Sequence, residues 1–155
     1  MNDKIPFIDL INLHRGMEDE LVAVFRDALN TGQFIGGPLV EKFEQDFASF
    51  CGTKYCIGVN SGTDALRFAL IAAGINKGDI VLTVPNTFIA TTEAISQAGA
   101  NPALIDIDER TYNMDPEKLR EYLEKNCSFD PIIERTVHQP TGKPVTAIIP
   151  VYLYG

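Results

Sequence analysis

YCIGVNSGTD, residues 55–64, is the stretch on which the reading of this chain turns. Tyr55 to Val59 is a short apolar run bounded by polar and glycine residues, the pattern of a buried strand. Asn60, Ser61, Gly62 and Thr63 form a turn. Asp64 to Ala73 is a mostly apolar helix, and Gly74 ends it. Strand, turn and helix in that order leave unpaired backbone N–H groups at a helix N-terminus, where the peptide dipoles add partial positive charge. Such an end suits an anion, phosphate in particular. Gly62 lets the backbone approach a ligand closely. The Ser61 and Thr63 hydroxyls offer further hydrogen bonds. A second reading stands beside the first: Ser61-x-x-Asp64 also fits a capping box, which needs no ligand.

The same alternation continues downstream. Ile80 to Val84 is a second strand, broken by Pro85 and Asn86, and a helix follows from about Phe88 to Ala98. Ala103 to Ile107 is a third strand. Asp115-Pro116, a cap and a first-turn proline, opens a helix through about Lys125. Thr146 to Val151 is a fourth strand. Four alternations predict parallel strands joined by right-handed crossovers, with helices on both faces. The strands read as near-continuous apolar runs, as expected when both faces are covered. Residues 126–145 interrupt the rhythm with three prolines and a Thr-Gly-Lys-Pro turn, and read as an exposed loop or small hairpin.

Upstream, residues 16–30 place Leu21, Val24, Phe25, Ala28 and Leu29 on one helical face. Glu18, Asp19 and Glu20 sit in the first turn, where the dipole favours anions. Gly32 is the stop. Pro38, after a Gly-Gly pair, opens the next helix, whose Val40, Phe43, Phe47 and Phe50 form a stripe expected to be core.

Composition narrows the function. The chain has 155 residues, 45% hydrophobic and 22% charged, enough for a packed core. Its 21 acidic and 13 basic residues give a net charge of -8, which argues against a nucleic-acid binder. Three cysteines and two histidines, widely scattered, suit neither a disulfide framework nor a metal site. The N-terminus lacks a signal-peptide core, and no apolar run approaches the roughly 20 residues of a membrane span. The expectation is a cytoplasmic protein without a membrane partner.

Ligands of open parallel sheets bind beyond the carboxyl ends of the strands. Asn60–Asp64, Pro85–Thr91 and Pro150–Gly155 converge on that edge. Neither the G-x-G-x-x-G dinucleotide fingerprint nor the G-x-x-x-x-G-K-[ST] triphosphate loop is present, which leaves room for another phosphorylated ligand. Phe88, just past the second strand, is placed either to stack on a planar ligand or to serve as a core residue of the following helix.

Several blocks taken together carry a resemblance. FIGGPLVEKFEQDFASFCGTKY, GVNSGTDALRFAL, GDIVLTVPNTFIATTEAISQAGANPALIDID, YNMDPEKL and IIPVYLYG occur in the order found in the DegT/DnrJ/EryC1/StrS aminotransferases, and nearly the whole chain resembles them. The resemblance implies an α/β three-layer sandwich, a mainly parallel sheet with helices on both faces, of the large-domain type of pyridoxal-phosphate (PLP) transferases. Residues 1–52 would be an N-terminal helical segment and 53–155 the first half of the PLP-binding domain. It implies transfer of an amino group from an amino-acid donor to a nucleotide-linked keto-sugar, usually by a homodimer. Gly62 and Thr63 would hold the PLP phosphate, with Asp64 in the same loop, and Phe88 would stack on the pyridine ring. Gln33, Phe34, Ile35 and Gly36 match the stretch near the sugar substrate. Tyr152 departs from the histidine that many relatives carry there. A PLP transaminase needs a covalently bound lysine and a carboxylate at the pyridine nitrogen. The resemblance places both after the segment matching Pro150–Gly155, and none of the seven lysines present lies in that motif. The expectation is an incomplete chain, inactive alone. A sugar dehydratase of the same family and a non-catalytic phosphate-binding fragment are the alternatives.

Overall fold

The computed structural model describes residues 7–155. The chain divides into two compact units, the first ending at Gly58 and the second spanning Val59–Gly155.

The first unit is helical. α1 (Leu10–Arg15) is capped by the Asp9 carboxylate, which accepts from the Asn12 amide at 3.1 Å. α2 (Glu18–Thr31) starts on its three acidic residues and stops at Gly32, whose φ of 67° is left-handed and whose amide bonds the Ala28 carbonyl. α3 (Pro38–Cys51) starts on its proline and stops at Gly52 in the same way. The two apolar stripes are in place but open. Only Ala28 and Ala48 are buried, whereas Phe25, Phe43 and Phe50 are 60%, 57% and 86% exposed. Phe43 stacks on Phe47 at 5.6 Å, and Phe47 meets Phe50 at 6.1 Å. The expectation that these stripes form core is therefore not met within this chain. Helical periodicity sets which side chains share a face, while burial needs a second surface laid over that face.

The second unit is built on β1 (Ile80–Thr83), β2 (Asn101–Leu104), β3 (Cys127–Asp130), β4 (Arg135–His138) and β5 (Lys143–Ile148), in the order β2-β1-β5-β4-β3. β1 is parallel to both β2 and β5. β4 is antiparallel to β5 and β3. Alternation along β1 assigns its two faces. Val81 packs with Leu70 of α4 (Gly62–Ala72), Ile75, Ile95 of α5 (Ala90–Gln97) and Ala100. Ile80, Leu82 and Val84 pack with Ile105 and Met114 beneath Leu119, Tyr122 and Leu123 of α6 (Pro116–Asn126). The result is the expected α/β three-layer sandwich, with a parallel core of three strands. Val81, Leu82, Val84 and Ile95 are fully buried, and each side chain of this kind contributes about 1.5–3 kcal/mol on leaving water.

Three differences from the sequence reading are instructive. Tyr55–Val59 carries no strand ladder, and Tyr55 and Ile57 are 71% and 76% exposed. An apolar run becomes a strand only beside a pairing neighbour, and none is present among the described residues. β2 begins two residues early, and Ile107 instead bridges Met114. The 126–145 stretch is a true hairpin that extends the sheet by pairing antiparallel to β5, which gives the sheet its mixed character.

Candidate functional site

Ser61 has extended backbone, φ −158° and ψ 162°, and is the N-cap of α4. Its Oγ accepts from the Asp64 amide at 3.1 Å and donates to Asp64 Oδ2 at 3.2 Å. Its carbonyl accepts from the Ala65 amide at 3.0 Å. The serine thus consumes one of the orphan donors at the helix start. The Gly62 and Thr63 amides, and the Thr63 hydroxyl, have no hydrogen-bond partner among the described residues. Cap and anion site are therefore compatible. The cap takes the third amide of the helix and leaves the first two pointing outward at the positive end of the dipole.

Gly62 sharpens the point. Its φ lies outside the left-handed region, and a Cβ built on it meets nothing within 4 Å. Neither backbone conformation nor packing within the described residues demands glycine there. The backbone at Gly62 is left open to close approach. Asp64 is half-buried, and its carboxylate favours the helix start while repelling an anion. The donors open to an anion at this end are therefore those of Gly62 and Thr63, not Asp64.

Phe88 lies in the turn that leaves β1, before α5 begins at Ala90. Its ring is 76% exposed, so it is not a core residue of that helix, and its face is available for stacking. Ser61–Asp64 and Phe88 each precede or open a helix of the same layer, since α4 and α5 pack on one face of the sheet through Leu70 and Ile95. No hydrogen bond joins the two turns among the described residues. The sequence reading missed a pair of hydroxyls that brackets Phe88: Thr87 Oγ1 and Thr91 Oγ1 are 2.8 Å apart. The i,i+4 spacing of the two threonines was the available signal.

Gln33–Gly36 belongs to the first unit, in the connection between α2 and α3. Phe34 and Ile35 are 60% and 97% exposed. Gly36 and Gly37 are both left-handed, and Gln33 Oε1 lies 3.3 Å from where a Gly37 Cβ would sit. The connection thus needs its glycines for the turn itself.

Titration is perturbed elsewhere. The amides of Thr111 and Arg110 hold the Asp108 carboxyl below its ordinary value. Burial raises Cys127, and burial together with the neighbouring Cys127 raises Tyr122. No group of three metal-ligating side chains exists among the described residues, and no described helix is long and apolar enough to cross a membrane.

The chain has clear relatives among known proteins. Residues 16–155 match the DegT/DnrJ/EryC1/StrS aminotransferase family. UDP-2-acetamido-2-deoxy-3-oxo-D-glucuronate aminotransferase of Pseudomonas aeruginosa is 41% identical over 151 residues, covering 97% of this chain and 37% of that protein. A crystal structure of a DegT DnrJ EryC1 StrS aminotransferase from Brucella abortus superposes with a TM-score of 0.83 at 32% identity, covering 98% of this chain and 38% of the other. That of NtdA from Bacillus subtilis with bound cofactor PMP gives 0.79 at 30% identity, covering all of this chain and 32% of the other. The chain spans about a third of the length of these relatives and corresponds to their N-terminal part. It belongs to the DegT/DnrJ/EryC1/StrS aminotransferase family.

Proposed function

We propose that this chain provides the phosphate-holding part of a PLP site in an aminotransferase acting on a nucleotide-linked keto-sugar. The observation that carries the reading is the pair of unpartnered amides, Gly62 and Thr63, at the N-terminus of α4. They fit the cofactor's phosphate in number and charge preference, and the Thr63 hydroxyl adds a third donor. Phe88, exposed beside the parallel core, suits the face of a pyridine ring. When bound, PLP supplies an electron sink for amino-group chemistry. This chain's residues anchor it: Gly62 and Thr63 at the phosphate, Asp64 in the same turn, Phe88 at the ring.

Gln33, Phe34, Ile35 and Gly36 are assigned to the sugar substrate. The Pseudomonas relative, whose name specifies a UDP-linked 3-oxo sugar acid, supports the substrate class. The cofactor in the Bacillus structure supports PLP. An amino-acid donor, a homodimeric partner and a cytoplasmic location complete the reading. The reading divides the chain into an N-terminal segment, 1–52, which carries helices α1 to α3, and 53–155, its part of the cofactor-binding domain.

Pyridoxamine 5′-phosphate tests the assignment cleanly, because it lacks the aldehyde that would label surface lysines. The chain should bind it at least about tenfold more tightly than pyridoxamine, the equivalent of one charge-assisted hydrogen bond. Inorganic phosphate should compete. Equal binding of the two amines would defeat the reading.

A further inference from the structure

The turn that carries Phe88 is held on both sides. The Thr87 amide donates to the Pro85 carbonyl at 3.1 Å, and the Thr91 amide donates to the Phe88 carbonyl at 3.1 Å. Between these bonds the Thr87 and Thr91 hydroxyls meet at 2.8 Å across the turn. Thr91 is only 6% exposed, in the first turn of α5, whereas Phe88 is 76% exposed. A large aromatic ring left in water ordinarily folds onto the nearest apolar surface. Here Val84, four residues before it, is fully buried, and Ile89 beside it is 66% exposed. These three hydrogen bonds tie the backbone on either side of Phe88. A buried hydroxyl requires a partner, and Thr91 finds its partner in Thr87, one residue before Phe88.

We infer that the Thr87–Thr91 hydroxyl pair is a positioning element that fixes the Phe88 ring for stacking on a planar ligand. The inference rests on the reading of Phe88 as a cofactor-stacking residue, and it adds two residues to that site. Thr91 touches no ligand in this account. It acts through Phe88, by denying the turn its alternative conformations before the ligand arrives.

Thr91→Val preserves shape and removes the hydroxyl, Thr91→Ser keeps the hydroxyl, and Thr87→Val breaks the pair from the less buried side. With pyridoxamine 5′-phosphate as probe, Thr91→Val and Thr87→Val should each weaken binding about 2- to 10-fold, the range for one neutral hydrogen bond. Thr91→Ser should bind within about twofold of the parent. A role confined to folding predicts that the Thr91→Val loss persists in a Phe88→Ala background. The positioning role predicts that it disappears there, because the ring it serves is gone. A second readout needs no ligand: NMR relaxation of the Phe88 ring should show more motion in Thr91→Val than in the parent. If the parent fails to bind pyridoxamine 5′-phosphate, the cofactor reading falls while the ring measurement still decides the positioning claim. Unchanged ring motion, parent-like binding by both valine variants, or full additivity with Phe88→Ala would overturn the inference.

Discussion

Replacing Gly62 with proline removes one of the two free amides at the N-terminus of α4 while asking little of the backbone. Gly62 is the first residue of that helix, the position where proline is best tolerated because its missing N–H has no helical partner. Ser61, the preceding residue, is already extended at φ −158° and ψ 162°, as a residue before proline must be. A Cβ at 62 has open space around it. The folded state therefore loses no internal hydrogen bond, and the unfolded chain loses freedom, so stability should hold or rise by about 0.4–1 kcal/mol. Ligand binding should move the other way. A hydrogen bond from an amide to a charged group is worth about 1.5–3 kcal/mol, which corresponds to roughly 10- to 150-fold in affinity. The assay pairs a thermal melt followed by circular dichroism with calorimetric titration of pyridoxamine 5′-phosphate. A Gly62→Pro variant that melts like the parent and binds the phosphorylated probe equally well would refute the claim that this amide holds a phosphate.

Other outcomes follow from the same structure. Leu82→Ala, at a fully buried position packed against Ile105 and Met114, should cost about 2–5 kcal/mol, read from urea unfolding. Cys51 is exposed and Cys127 is buried with its thiol titration raised, so Ellman's reagent at pH 8 should modify Cys51 quickly and Cys127 only as the protein unfolds. Asp108 ionises below its ordinary value of 3.8 because the Thr111 and Arg110 amides bond its carboxylate. Its contribution is present above that value and is lost as pH falls through the lower folded one. The Thr111 amide signal should shift only below about pH 4, and Asp108→Asn should abolish that shift.

What was legible in the sequence was local. Gly32 ends α2 because the left-handed cap is a single-residue property. Pro38 and Asp115-Pro116 begin helices for equally local reasons. Ser61 caps α4 as its spacing from Asp64 implied, and the burial of β1 follows from its near-continuous apolar run, with Thr83 satisfied by the Ile149 carbonyl. What was not legible depended on partners far away in the chain. The Tyr55–Val59 run has strand composition but no neighbour to pair with among the described residues, and its tyrosine and isoleucine stay in water. The hairpin β3–β4 joins the sheet through Val137–Pro144 and His138–Lys143 pairing, which no periodicity within 126–145 announces. The phenylalanine stripe of α3 shows the same limit from the other side, since its period was read correctly and its cover was not. At the candidate site, sequence left cap and anion site as alternatives. In the fold Ser61 occupies the Asp64 amide and leaves Gly62 and Thr63 open, so both hold at once. Thr91 escaped notice because its importance lies in one contact with Thr87, not in its own type.

Amide-resolved NMR of the uniformly 15N-labelled chain, titrated with pyridoxamine 5′-phosphate, puts the question to the two donors themselves. The Gly62 and Thr63 amide resonances should move furthest and saturate together, with the Asp64 amide, already bonded to Ser61 Oγ, moving less. The same resonances should stay nearly still with unphosphorylated pyridoxamine. Saturable binding that leaves the Gly62 and Thr63 signals in place would contradict the account.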